Sequence, residues 1–473
     1  MDNLPNELLL EIFSQLSLDD RLNVLPVSLV NRRFHELANE LLYSSYSVAQ
    51  ADPALFIRAI ASSPNLGRCV QDVNWDCRSR NNYALVTSDA IRFSEDFSTA
   101  EGHYIRETLG VRGSLDMRDL NKRFNDLGAE SYLYAFLSFT PRVSTLNVAV
   151  PSLWNRHMYW FKPALDSQMF ANLHKAYIVG PMHIRNLLPL FLVPSLRTLI
   201  LEYTVYDRNL VRRGVQYEWS MNSEVFERLQ REGSWVENFH LTHCFEPIPE
   251  ITWLMGVFHN LKTFEVQHLE DCVLDPEVNL RMLMQAFQRQ RKSLTSLSIA
   301  AHHRTLDPSI LEPLKVLTHV ESLSLDISPE TEEAERNICL KLSSDLSGCL
   351  PRNVEHFRLI ANNLRSEEML LAPSSTFVDA LLAFSHTVKV VFPNLRTLAV
   401  DEWDPLLSSF ACQTQIKILQ QAFAGKGVEL LARPSARSIY ADDEYGTSFE
   451  DVEEGWVCVK WIMPPALPRA YLQ

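Results

Sequence analysis

The sequence contains few of the features that mark enzyme sites or secreted domains. Only 14 of its 473 residues are glycine, and it has no GxSxG, GxxxxGK[ST] or GxGxxG motif. The nucleophile elbow and the phosphate-binding loops that those motifs form are therefore not expected. Its eight cysteines, at positions 69, 77, 244, 272, 339, 349, 412 and 458, form no CxxC pair and no close even spacing. They are typical of reduced intracellular thiols rather than of a disulfide framework.

Long apolar runs are missing as well. The longest uninterrupted stretches, such as Leu187–Val193, are far shorter than the ~20 residues that a membrane-spanning helix requires. Asp2 and Glu7 stand where a secretory signal peptide would be basic, and Glu11 interrupts the first apolar run. We therefore expect a soluble protein without an export signal, located in the cytoplasm, the nucleus or both, and not associated with membranes.

Basic residues are in the minority. The chain has 44 Lys and Arg against 58 Asp and Glu, a formal net charge of −14, whereas affinity for nucleic acid depends on clustered cations. One small basic cluster, "QRQRK" at Gln288–Lys292, is typical of a solvated helix end. The charge balance therefore disfavours DNA and RNA as partners.

Two groups of residues resemble metal sites, but neither has the required spacing. The segment "HELAN", from His35 to Asn39, begins like the HExxH motif of zinc proteases and lacks the second histidine. The other group comprises His240, His243, Cys244 and Cys272. Because it lacks the paired spacing of zinc sites, His240 is expected on a strand surface and Cys244 in a core. We expect no metal, no cofactor and no catalytic residue.

An apolar helix is predicted at the start of the chain. Pro5 suits a first helical turn, because its missing N–H is not needed there. The apolar residues that follow recur at helical spacing and are Leu8, Leu9, Ile12, Phe13 and Leu16. Residues 22–41 continue with a second helical pattern, which Pro26 interrupts. A unit of about 50 residues does not bury this much aliphatic surface internally, so part of the surface is expected to contact a partner.

A six-residue pattern returns ten times in the rest of the chain. It consists of an apolar residue, two mostly polar residues, an apolar residue, any residue and a final apolar residue. The copies begin at residues 70, 143, 173, 196, 236, 261, 294, 320, 354 and 395, and several follow an apolar helical stretch and a short turn. Units of one helix and one strand bury their apolar faces only by stacking. The pattern therefore predicts an α/β solenoid, with parallel strands on one face and helices on the other.

The spacing of the copies predicts the domain organisation. The first two copies start 73 residues apart, which indicates an insertion at about 76–128. An acidic segment at about 440–456 is typical of a solvated terminal region. The predicted organisation is a helical domain over residues 1–47 and a repeat domain over residues 48–473.

Both parts of the sequence resemble a known family. The segments "LPNELLLEIFSQLSLDDRL" and "PVSLVNRRFHELANELLYSSYSV" closely resemble the F-box, with Leu-Pro, Glu-Leu-Leu, Ile-Phe, an acidic turn, Arg-Arg-Phe and a closing Leu-Tyr in order. The segment "RLNVLP" makes the second half a few residues longer than in many F-boxes. The repeats resemble the irregular leucine-rich repeats of F-box proteins, and "LTHC" (Leu241–Cys244) and "LIAN" (Leu359–Asn362) come nearest to the fuller consensus.

The resemblance implies a function. F-box proteins are substrate receptors of cullin-RING ubiquitin ligases, in which the F-box docks on a Skp-family adaptor and the repeats hold the target protein. This chain would then be the non-catalytic substrate-recognition subunit of an SCF-type ubiquitin ligase, joined through the adaptor to a cullin scaffold. The implied adaptor contacts are Leu4, Pro5, Leu8, Ile12, Leu16, Leu22, Val27 and Leu29. In an alternative that stays open, the chain binds the adaptor as a scaffold or regulatory protein without delivering a substrate.

Candidate target-binding residues follow from the geometry of the repeats. The residue between the last two apolar positions of a copy points to the strand face opposite the core. These residues are Tyr177, Ile200, His240, Glu265, Ser298, Ser324, Arg358 and Ala399. The following positions on the same face are Glu202, Thr242, Gln267, Asp326 and Asp401. This surface is where we expect an unidentified target protein to bind.

Overall fold

The protein is a mixed α/β chain with helices at its start and one parallel sheet after them. The computed structural model describes residues 4–16, 24–76, 133, 136–149, 170–182, 184–204, 223–242, 248–269, 276–301, 311–326, 350–360, 375–401 and 410–433. Within these ranges, no helix combines the length and the apolar character needed to cross a membrane. The predicted insertion beyond residue 76 and the acidic segment at 440–456 lie outside the described residues.

The described residues of the first part of the chain form three helices: α1 (Asn6–Leu16), α2 (Leu25–Ser28) and α3 (Arg32–Leu42). Pro26 lies in the first turn of α2, where a proline is tolerated, so it begins a short helix. The side chain of Asn31 caps α3 by accepting a hydrogen bond from the backbone N–H of Phe34 at 2.8 Å. These two residues explain why the second helical pattern folds as two helices.

Within the described residues, twelve strands form a single sheet in which every neighbouring pair is parallel and the spatial order equals the order along the chain. The strands are β1 (Ser45–Ser47), β2 (Asp72–Asp76), β3 (Thr145–Ala149), β4 (Lys175–Met182), β5 (Thr198–Thr204), β6 (Asn238–Thr242), β7 (Thr263–Leu269), β8 (Ser296–Ala301), β9 (Ser322–Asp326), β10 (His356–Ile360), β11 (Thr397–Asp401) and β12 (Glu429–Arg433). The prediction of an α/β fold with parallel strands is confirmed.

A strand lies at each of the ten repeats and begins two residues after the start of the copy. Before most strands, one main-chain carbonyl accepts hydrogen bonds from two successive N–H groups of the next unit. The Arg197 carbonyl, for example, accepts from Glu237 at 2.8 Å and from Asn238 at 2.9 Å, and the Glu237 carbonyl accepts from Lys262 and Thr263. These bonds fix the register of each strand against its predecessor.

Two strands were not predicted. Strand β1 lies within "LLYSSYSV" (residues 41–48), where Tyr43 takes the place of the leading aliphatic residue, and within the residues assigned to the helical domain. Strand β12 pairs Leu430 with Leu398, but only Glu429 separates Leu430 from the buried Val428. The distance between the first two apolar positions is thus one residue shorter than in the other copies. For this reason the pattern did not predict strand β12.

Helices lie between the strands along the chain. Their bounds are α4 (Pro53–Ser62), α5 (Pro64–Gly67), α6 (Leu188–Phe191), α7 (Ser223–Glu232), α8 (Ile248–Met255), α9 (Pro276–Phe287), α10 (Ser375–Val391) and α11 (Phe410–Ala424), with 3-10 turns at Ile184–Leu187, Gln288–Gln290 and Glu312–Val316. The core lies between these helices and one face of the sheet. Phe264 of β7, for example, contacts Phe287 of α9 with ring centroids 5.1 Å apart, and both are fully buried.

Candidate functional site

The N-terminal helices have a small core of their own. Leu9 and Phe13 of α1 are buried against Phe34 and Leu37 of α3. The rings of Phe13 and Phe34 meet edge to face, with centroids 5.3 Å apart. This core uses only one side of the apolar surface of α1.

The other side of α1 is exposed. Leu8 and Ile12 lie on the same helix as Leu9 and Phe13, yet 51% and 40% of their respective surfaces are accessible to solvent. The sequence predicted one apolar stripe, whereas the structure divides that stripe into a buried pair and an exposed pair. The exposed pair has no structural task within the described residues that would account for its apolar character.

Helix α2 adds more exposed apolar surface. Leu25, Leu29 and Val30 are 50%, 80% and 65% exposed, while Val27 packs partly against the small core. Leu25 and Val30 were not among the predicted adaptor contacts. When one side chain of such a short helical segment points inward, its neighbours point outward. This rule could have identified Leu25 and Val30 from the sequence. We name Leu8, Ile12, Leu25, Leu29 and Val30 the exposed N-terminal surface.

The beginning of α1 is tied to α3 by Arg33. The Nε atom of Arg33 donates a hydrogen bond to Oδ1 of Asn6 at 2.8 Å, and its Nη2 atom donates to the carbonyl oxygen of Leu4. Leu4 is half-buried against the small core, and Pro5 is exposed. Arg33 therefore fixes the position of two predicted adaptor contacts.

The side chains of two predicted adaptor contacts, Leu16 and Leu22, lie outside the part of the chain that the structure describes. Leu16 is the last residue of α1, but its side chain lies outside the description, and Leu22 lies wholly outside the described residues. Of the remaining six, Pro5, Leu8, Ile12 and Leu29 are exposed, and Leu4 and Val27 are half-buried.

The eight candidate target-binding residues that lie between the last two apolar positions of their copies form one row across the sheet. The register pairs Tyr177 with Ile200 and continues strand by strand through His240, Glu265, Ser298, Ser324 and Arg358 to Ala399. The same row begins with Ser47, Asn74 and Asn147 and ends with Leu431. Those four belong to the row by the same rule and were not predicted.

Hydrogen bonds connect neighbours on this face. The hydroxyl of Tyr177 donates to Glu202, and Nδ1 of His240 lies 2.8 Å from Oε2 of Glu265. The side chains of Asn147 and Asn74 are joined at 3.1 Å. The face is therefore an ordered polar surface over these strands.

Two serines on the face differ from their neighbours. The Oγ atoms of Ser298 and Ser324 are buried and have no hydrogen-bond partner among the described residues. Ser324 is only 7% exposed, although its position on the strand directs it away from the core. A buried hydroxyl without a partner costs free energy, which makes this pair unusual.

The groups that resembled metal sites are not assembled in the described part of the chain. No cluster of three or more His, Cys, Asp or Glu residues is found there, and His243, Cys244 and Cys272 lie outside it. In "HELAN", Nδ2 of Asn39 lies 3.0 Å from Nε2 of His35, as expected for neighbours on one helix turn. His240 is half-buried on the sheet face, as expected from its strand position.

The basic cluster at Gln288–Lys292 contains both exposed and buried side chains, as α1 does. Arg289, Arg291 and Lys292 are exposed, whereas Gln290 is buried. Gln290 contacts the turn between α8 and β7, so it belongs to the core of the fold.

Comparison with known families identifies the N-terminal part of the chain. Residues 1–48 match the F-box-like family, which covers α1 to α3 and the first strand. No curated protein matches the chain. The F-box resemblance is thus confirmed for this part of the sequence.

Proposed function

We propose that this chain, which begins with an F-box-like domain, is the substrate-recognition subunit of an SCF-type cullin-RING ubiquitin ligase. The observation that carries the proposal is the exposed N-terminal surface. Leu8 and Ile12 are exposed, whereas Leu9 and Phe13 of the same helix are buried in the small core. Apolar residues on one helix face suit docking into a groove of a partner. A Skp-family adaptor is that partner in our proposal, and a cullin scaffold would be reached through it.

In this proposal the sheet is a second binding surface, which holds the target protein. We interpret the helix and strand units as irregular leucine-rich repeats stacked into a solenoid. This is supported by the equality of spatial and chain order in the sheet. The face opposite the helices carries half-buried side chains in register, and we propose that it binds the target protein. Several repeats together provide enough area for an interface of the usual ~1,600 Å².

The proposed role requires no catalytic group in this chain. Ubiquitin transfer would be carried out by other subunits, and the receptor would raise the local concentration of the target lysine near the activated ubiquitin. The alternative function is a scaffold or regulator that binds the adaptor without delivering a substrate. Both functions use the same N-terminal surface and differ in the fate of the bound protein.

Co-purification with a Skp-family adaptor tests the first step. The Leu8→Asp/Ile12→Asp variant is expected to lose the adaptor, because two charges would be buried at the interface. Leu55→Asp is the matched control, since Leu55 of α4 is 62% exposed and lies outside the exposed N-terminal surface. Equal recovery of the adaptor with all three proteins would refute the proposal.

Proximity labelling with and without proteasome inhibition separates the two functions. A receptor is expected to label proteins that accumulate only when the proteasome is inhibited, and the double variant should fail to cause their loss. A scaffold is expected to label the same proteins in equal amounts under both conditions.

A further inference from the structure

The end of the sheet at which the parallel strands begin carries a cluster of cations. Arg289, Arg291 and Lys292 are exposed between α9 and β8. None of the three forms an ion pair within the described part of the chain. The whole chain has a formal net charge of −14, so this cluster is a local exception. It attracts anionic groups, whereas most of the remaining charge repels them.

The backbone that carries these cations is held by buried groups. Gln290, which lies between two of them in the chain, is only 4% exposed. Its side-chain amide donates to the main-chain oxygens of Met255 and Phe258 at 3.0 Å. The amide of Leu294 donates to the carbonyl of Gln290 at 2.9 Å. A ligand would therefore meet its cations on a turn that is already ordered, which lowers the entropic cost of binding.

An exposed tryptophan lies beside the cations. Trp235, between α7 and β6, is 52% exposed, although the residues on either side of it are fully buried. Its ring contacts the ring of His259, in the turn between α8 and β7, with centroids 4.7 Å apart. The guanidinium of Arg289 lies against Gly256 of the same turn, so close that a Cβ atom on this glycine would clash with it. A large aromatic side chain that is fixed at its base and open to solvent is typical of the residues that dominate interfaces.

The next unit extends this surface. His319, which is exposed in the turn before β9, has its Nδ1 atom 3.2 Å from the main-chain oxygen of Arg291. The turns before β6, β7, β8 and β9 are thus in contact from Trp235 to His319. They form one continuous surface with aromatic and cationic side chains.

The acidic residues of these units do not neutralise the surface. Glu232 and Glu237, before β6, already pair with Arg or Lys side chains. In the unit of β9, the exposed Glu312 and Glu321 outnumber Lys315. The excess of cations is therefore greatest at the turn before β8 and ends at β9.

We name six residues of these turns the basic turn surface: Trp235, His259, Arg289, Arg291, Lys292 and His319. We propose that the basic turn surface binds a short acidic segment of a partner protein that also carries an aromatic side chain. The cations pair with the carboxylates of the segment, and Trp235 packs against its aromatic ring. The surface shares no residue with the exposed N-terminal surface or the sheet face, so the inference goes beyond the proposed function.

The size of the basic turn surface favours a short protein segment over a nucleic acid. The turns before β6 and β9 are separated by three strand spacings, ~14 Å, which equals about four to five residues of extended chain. A nucleic acid would continue beyond this length over a chain whose remaining charge is predominantly acidic.

Fluorescence anisotropy with the full chain tests this inference. The probe is a fluorescein-labelled eleven-residue peptide in which Asp and Glu flank one central Phe. We expect saturable binding that weakens with added salt. A control peptide with Asn and Gln in place of the acidic residues should not bind. A second control peptide with Ser in place of Phe should bind about tenfold more weakly, because it cannot pack against the tryptophan.

Variants of the protein locate the binding site. Arg291→Gln and Lys292→Gln should each weaken binding of the acidic peptide about threefold, as expected for one exposed charge pair. Lys426→Gln is the matched control, because Lys426 is exposed in the corresponding turn before β12, and it should leave the affinity unchanged. Trp235→Ala should weaken binding about tenfold, whereas Trp235→Phe, which keeps an aromatic ring, should retain most of the affinity.

The inference would be overturned if the neutral peptide bound as tightly as the acidic one, or if Lys426→Gln weakened binding as much as Lys292→Gln. Tighter binding of a twelve-nucleotide oligothymidylate than of the acidic peptide would also overturn it, since the surface would then be a nucleic-acid site. None of these measurements involves the adaptor. Failure of the proposed function would therefore leave this inference intact, and the reverse also holds.

Discussion

The side-chain Nε2 atom of Gln290 donates a hydrogen bond to the main-chain oxygen of Met255, 3.0 Å away and 35 residues earlier in the chain. The same nitrogen donates to the carbonyl of Phe258 at 3.0 Å, and Oε1 accepts from the N–H of Leu261 at 3.3 Å. One buried amide therefore holds the turn that leads from α8 into β7.

Gln290→Leu should destabilise the protein by about 3 kcal/mol, because it leaves buried main-chain groups without partners. Gln288→Leu, at an exposed position two residues earlier, should change stability by no more than about 0.5 kcal/mol. Denaturant unfolding followed by circular dichroism measures both, and equal midpoints for the two variants would contradict the structural role of Gln290.

Gly67 allows a close approach between α5 and the chain before β3. A Cβ atom at this position would lie 2.2 Å from the carbonyl oxygen of Phe139, which is main chain and not easily displaced. Gly67→Ala should therefore cost roughly 1 to 3 kcal/mol. Gly425→Ala is the control, since its Cβ would lie 3.5 Å from the nearest atom. A similar melting temperature for the two variants would argue against the contact.

The division of the α1 stripe predicts opposite effects for adjacent leucines. Leu9→Ala removes a fully buried side chain and should destabilise the N-terminal helices by about 2 to 4 kcal/mol. Leu8→Ala should have little effect on their stability and should instead reduce adaptor capture. Hydrogen exchange of the α1 amides reports stability and co-purification reports binding. A loss of stability with Leu8→Ala would show that the stripe is not divided in this way.

Arg33 is expected to maintain the first turn of α1. Arg33→Leu removes the bonds to Asn6 and Leu4, so the amide of Leu9, which donates to the Pro5 carbonyl at 3.2 Å, should exchange faster with solvent. Arg32→Leu is the matched control, because the side chain of Arg32 is 92% exposed and, among the described residues, it pairs only with Glu36 on its own helix. Equal exchange at Leu9 in the two variants would contradict this role.

Cys69 should react slowly with alkylating reagents in the folded protein. Burial raises the pKa of its thiol, the carboxylate of Glu40 raises it further, and Arg142 acts in the opposite direction. A raised pKa means a smaller thiolate fraction at pH 8 than in the unfolded chain, and the thiolate is the reactive form. Mass spectrometry of the Cys69 peptide after iodoacetamide treatment, with and without denaturant, measures the difference. Faster labelling of the folded protein would contradict the expectation.

The regular part of the fold was predictable from the sequence. An apolar residue, two polar residues and an alternating apolar pair specify where a strand begins and which side faces the core. Leu196, Leu199 and Leu201, for example, occupy these positions and are buried. The pattern does not predict strand β12, where the spacing before Leu430 is one residue shorter, or strand β1, where Tyr43 replaces an aliphatic residue.

The binding surfaces were less predictable, because exposure depends on which elements pack together. Leu8 and Leu9 are chemically identical, and the placement of α3, with Phe34 and Leu37, decides that Leu9 is buried and Leu8 is not. Gln290 sits in a run of exposed cations and is nevertheless buried by its bonds to the preceding unit. Likewise, no sequence pattern indicates that the hydroxyls of Ser298 and Ser324 have no partners within the described residues.

The short connection between α3 and β1 affects the distance at which the proposed ligase would hold its target from the ubiquitin-transfer machinery. Only Tyr43 and Ser44 separate the two elements, and the ring of Tyr43 packs against Phe56 of α4 with centroids 5.6 Å apart. The F-box-like helices and the sheet are thus joined without a long linker. Because neighbouring strands are ~4.8 Å apart, each further strand along the sheet would lie ~4.8 Å farther from the proposed adaptor-binding surface. The strand on which a target binds would set its distance from the ubiquitin-transfer machinery.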